Sequence, residues 1–63
     1  MREYEITLAS KKELQRYYEG YNMLWVSTIE IVVEANSKEE AIRKATGYKN
    51  KVVWKVDGEE IWG

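Results

Sequence analysis

Chemistry at neutral pH needs groups that titrate, bind metals or attack, and this chain has an unusual selection. It has no His and no Cys, so imidazole bases, thiolate nucleophiles, disulfides and Cys/His metal sites are excluded. Proton transfer would fall to Glu, Asp, Lys or Tyr. Glu3 and Glu5 share one strand face, as paired carboxylates could, but alternating charge is also what a solvated strand face carries. Ser27 and Thr28 have no His partner, and Ser10 only adjoins Lys11 and Lys12 without the Ser-x-x-Lys spacing of an activated serine. The only Asp is Asp57, so there is no D-x-D-x-D-G calcium loop. Gly20, Gly47, Gly58 and Gly63 are too dispersed to cradle a phosphate. The expectation is a protein with no catalytic residues, no metal and no cofactor.

What the chain does hold is aromatic rings: three Trp, five Tyr and no Phe in 63 residues. A domain this short buries only about 60% of the surface its unfolded chain exposes. Tyr17, Tyr18 and Tyr21 are read as rings left over for a partner, together with Trp62, because interface hot spots favour Tyr and Trp. Trp25 and Trp54 are assigned to the core. A second pattern places basic residues beside rings: Lys11, Lys12 and Arg16 next to Tyr17 and Tyr18, and Lys49 and Lys51 next to Tyr48. That is a pattern for stacking single-stranded nucleic acid. The net charge of −1 supplies no long-range attraction to a polyanion.

These residues must be positioned by a small set of elements. Tyr4, Ile6 and Leu8 alternate with Glu3, Glu5 and Thr7, which predicts a strand over 2–8. Residues 10–21 admit two readings. Ser10 and Glu13 have capping-box spacing, and Leu14, Tyr17, Tyr18 and Tyr21 have helical spacing that ends at Gly20. Alternatively the segment is the arm of a long hairpin, which with one bulge would pair Ile6 with Val33 and Leu8 with Ile31. Residues 23–35 read as a long strand. Trp25, Ile29, Ile31 and Val33 share one face, and Leu24, Val26 and Val32 the other, so the strand is expected to be central or part of an interface.

The segment after it is punctuated as a helix over about 38–46. Ser37 is an N-cap with Glu40 three residues on, acidic residues fill the first turn, and Arg43 and Lys44 lie near the end. Ala41, Ile42 and Ala45 form its apolar stripe, and Gly47 is suited to end it. Residues 51–56 and 59–62 read as a hairpin about a type I′ turn at Asp57-Gly58. Val52, Trp54, Val56 and Ile61 are expected on one face, and Val53 and Trp62 on the other. The whole is a single α+β domain, residues 1–63, with an antiparallel sheet and one helix on one face.

Val33-Glu34-Ala35-Asn36-Ser37-Lys38-Glu39-Glu40-Ala41-Ile42 and the opening Tyr4-Glu5-Ile6-Thr7-Leu8 resemble small α+β proteins of phages and mobile elements, of the DpnD/PcfM-like type. The resemblance implies an accessory protein with no catalytic residues. The expected partner is a protein, host or element-encoded. A small core with surplus rings also predicts a homodimer. No run approaches the ~20 apolar residues of a membrane span, and MREYEITL has no apolar leader, so the expectation is a cytoplasmic protein.

Overall fold

The computed structural model describes residues 1–20 and 26–62. The elements are β1 (Arg2–Ala9), α1 (Lys11–Tyr18), β2 (Thr28–Ala35), α2 (Lys38–Ala45), a single 3₁₀ turn (Tyr48–Asn50), β3 (Val52–Val56) and β4 (Glu59–Glu60). The four strands form one antiparallel sheet in the order β2-β1-β3-β4, the expected α+β architecture.

The alternation in β1 sends Tyr4, Ile6 and Leu8 to one face. There they form the main core with Ala35, Ala41, Ala45, Val53 and Val56. α2 covers this face through its small residues Ala41 and Ala45, which let its backbone come close to the sheet. Ser37 caps α2 as expected: its hydroxyl accepts from the Glu40 N–H at 3.2 Å. Gly47, at φ 85°, follows the helix in the left-handed conformation that the sequence anticipated.

Residues 11–18 are helical, which decides between the two readings of 10–21. Ser10 occupies the N-cap position but its side chain accepts no capping bond. The hairpin-arm register is therefore replaced: Ile6 pairs with Ile31 and Leu8 with Ile29, with no slip along the β1–β2 ladder. Two helices flank the sheet instead of one, because α1 packs on the face opposite α2. Ala9 is out of phase with Leu8, and Ala9 joins Leu14 of α1 in a second core with Trp54.

β2 is shorter than expected at its start, where Val26 and Ser27 are not strand; residues 23–25, Trp25 among them, lie outside the described residues. Among the described residues it is an edge strand of the sheet rather than a central one, paired with β1 alone. Val32 is 62% exposed. The Asp57-Gly58 turn is as predicted, with φ of 51° and 82°, both positive as type I′ requires. Val56–Glu59 and Lys55–Glu60 close it. Ile61 and Trp62 are not strand, although the Ile61 N–H still donates to the Trp54 carbonyl at 2.9 Å.

The largest departure is in the faces of β3. Thr7 pairs with Lys55 but Leu8 pairs with Val53, so Trp54 is an extra residue in β3, a β-bulge. The bulge reverses phase. Val53 and Val56 both reach the α2 side, with Ile61 against them. Val52, Trp54 and Trp62 lie with α1. The expected grouping of Val56 and Ile61 with Trp54, and of Val53 with Trp62, fails for this one reason.

Candidate protein-binding surface

α1 has one buried residue, Leu14, which is fully enclosed against Ala9 and Trp54. Tyr17 and Tyr18, three and four positions later, fall on the same side of the helix and meet the same tryptophan. The Trp54 indole N–H donates to the Tyr18 hydroxyl at 3.0 Å. Tyr18 also stacks on Trp62, with centroids 5.7 Å apart and planes at 29°. Tyr17 sets its ring edge-on to Tyr18 at 5.2 Å and to Trp54 at 5.8 Å. These offset and edge-to-face arrangements are the favourable ones for aromatic quadrupoles.

Three of the four expected partner-binding residues, Tyr17, Tyr18 and Trp62, thus meet in one cluster built by two distant parts of the chain; Tyr21 lies outside the described residues. The rings are not simply surplus. Tyr18 satisfies a nearly buried indole and helps fasten α1 to the sheet. Even so, Tyr17 and Tyr18 are 43% and 45% exposed. The residue that sequence reasoning missed is Trp54 as the hub. The only hint was that VVWKV is apolar on both sides of the strand, which a phase-reversing bulge explains after the fact.

The basic candidates divide. Lys11, Lys12 and Arg16 are exposed on α1. Ala9 pairs with Val52, so the sheet brings Lys51, which precedes Val52, to the end from which α1 starts. Tyr48, 44% exposed, has the Lys49 ammonium 5.7 Å from its ring centroid. Lys55, the residue beside the bulge, places its ammonium 4.4 Å from the Trp54 ring centroid.

Beyond the rings, the α1-side face opens into a shallow trough of about 610 Å³, lined by Glu5, Thr7, Thr28, Glu30, Trp54 and Lys55 among others. Glu5 and Glu30 alternate there with Thr7, Thr28 and Val32, as a solvated strand face does. Among the described residues no group of three or more acidic side chains is close enough to hold a metal ion. Among the described residues the one carboxyl with a displaced pKa is Glu40, held below the ordinary range mainly by the Lys44 side chain and also by the Asn36 N–H, against a partial opposing effect of burial. It belongs to the α2 cap, not to the aromatic cluster.

No family model, curated protein or solved structure matches this chain, so the strand-to-helix resemblance at residues 33–42 rests on its residues alone.

Proposed function

We propose that this protein is a non-enzymatic binding module that engages another protein through the aromatic cluster of Tyr17, Tyr18, Trp54 and Trp62. One observation carries the reading: four rings are locked together by contacts with one another, yet the two tyrosines keep nearly half their surface in water. Rings held in place before binding lose little side-chain freedom when a partner covers them, so more of the buried area counts toward affinity. A chain without His or Cys leaves binding as the economical role for such a surface. The resemblance at residues 33–42 makes host and element-encoded proteins the first partners to screen.

The second reading is single-stranded nucleic acid. What favours it is the sheet register, which brings Lys51 to the end of the sheet where α1 starts with Lys11 and Lys12, on the same helix whose last turn carries the exposed rings. Salt separates the two. Binding driven by removal of apolar surface persists at high salt, whereas counterion release makes nucleic-acid affinity fall steeply. The test measures affinity for each candidate protein and for a single-stranded oligonucleotide at low and high salt, for wild type and Tyr17→Ala. Tyr17 is the residue to change because among the described residues its side chain makes ring contacts only, so its loss leaves the Trp54–Tyr18 bond in place. Salt-resistant protein binding that Tyr17→Ala abolishes upholds the first reading. Salt-sensitive oligonucleotide binding lost in a Lys11→Ala/Lys12→Ala variant overturns it in favour of the second.

A further inference from the structure

We infer that the outer edge of β2 pairs with β2 of a second copy of this chain, antiparallel and centred on Ile31. The aromatic cluster plays no part in this surface. Among the described residues nothing pairs with that edge. The residues whose backbone groups face outward follow from hydrogen-bond phase. The Glu5 N–H donates to Asp57 Oδ1 and the Glu5 carbonyl accepts from the Asp57 N–H, so the backbone of Glu5 faces β3. Its neighbours Tyr4 and Ile6 then face β2, and their partners Val33 and Ile31 are turned inward. Thr28, Glu30, Val32 and Glu34 therefore present N–H and C=O to the outside. An independent contact agrees: the Glu34 carbonyl is free of β1 and accepts from Lys44 Nζ at 2.8 Å.

The edge carries few of the usual defences. Residues 28–35, TIEIVVEA, contain no Pro, Lys or Arg, and the β1–β2 ladder has no bulge. Lys44 guards only the Glu34 end, and a carbonyl has a second lone pair for another donor.

Self-pairing is selected by register. Only registers that set outward-facing residues opposite one another form bonds, and two of these overlap most of the strand. One is centred on Val32 and sets Glu30 against Glu34 of the other copy, like charges face to face. The other is centred on Ile31. It sets Glu30 beside Val32 and Thr28 beside Glu34, and opposes no two carboxylates. On the α2 side it joins Ile31 to Ile31 and Ile29 to Val33, three side chains that are only partly buried at the rim of the main core. The strand is thus complementary to itself in one symmetric register, which identifies a second copy as the occupant.

The test combines sedimentation equilibrium from micromolar to millimolar chain with single cysteines placed in a chain that has none. Opposed Ile31 residues would form a non-hydrogen-bonded pair with Cα atoms about 4.5 Å apart, inside the disulfide range. Ile31→Cys is expected to give a disulfide dimer on mild oxidation, while Val32→Cys, offset across the axis, does not. Val32→Pro removes an outward N–H and leaves the β1–β2 ladder intact, so dimer affinity should fall about tenfold or more. Tyr17→Ala should leave the mass unchanged, which separates this interface from the aromatic surface. A monomer at every concentration overturns the inference. So does a dimer whose Ile31→Cys form fails to cross-link, or one in which Val32→Cys cross-links instead.

Discussion

The Trp54 indole N–H donates to the hydroxyl of Tyr18, 36 positions earlier, at 3.0 Å. This bond joins a bulge in β3 to the last turn of α1. Tyr18→Phe keeps the ring and its stacking on Trp62 but strands a nearly buried donor. The expected cost is about 1–3 kcal/mol, read as a lower Tm and a change in the near-ultraviolet dichroism of tryptophan. A variant that melts and looks like wild type would show that the bond contributes nothing.

Leu14 is the other fastening of α1, and it is completely buried. Leu14→Ala should cost about 2–5 kcal/mol if the space it leaves stays open. Faster amide exchange confined to residues 11–18 would locate the damage in α1.

Gly58 sits at φ 82° with nothing within 4 Å of where a Cβ would go. Space is therefore no obstacle and the backbone alone resists substitution. Gly58→Val should lose about 1–3 kcal/mol in chemical denaturation, because a β-branched residue is strained in the left-handed region. Equal stability would mean the turn had changed type.

Ser37→Ala removes the acceptor for the Glu40 N–H. The expected loss is about 0.5–2 kcal/mol, and unchanged stability would refute the cap.

Glu40 adds a pH dependence to the same cap. Its Lys44 partner lies 3.2 Å away and holds the carboxyl below the ordinary range. A folded-state pKa below the unfolded one contributes stability that is present above the unfolded value and lost as pH falls through the folded one. The difference in Tm between wild type and Glu40→Gln should thus be largest near neutrality and shrink in acid. A difference constant with pH would rule out this linkage.

Much of the fold was legible wherever the signal is local. Ser37, the acidic first turn and Gly47 mark α2 because capping groups lie within a few residues of what they cap. Asp57-Gly58 marks its turn because positive φ is a property of single residues. The alternation of Tyr4, Ile6 and Leu8 names the core face of β1 because strand geometry has period two. The chain composition likewise removed imidazole and thiolate chemistry before any geometry was known.

Tertiary structure decided what depends on distant partners. Whether residues 11–18 form a helix turned on Leu14 finding a site between Ala9 and Trp54, which local spacing does not reveal. The β1–β2 register followed once a helix, not an arm, separated the strands. Most of all, the bulge at Trp54 exists only in the pairing of β3 with β1. By inserting one residue it sends Val53 and Val56 to the α2 side and Trp54 to the other, so that Tyr17, Tyr18 and Trp62 have a ring to gather around. Asp57 shows the same division. Its turn is written locally, but its carboxylate also accepts from the Glu5 N–H at 2.9 Å and pairs with Arg2 at 2.9 Å. Those contacts reach more than 50 residues back along the chain. Only the folded sheet brings them together.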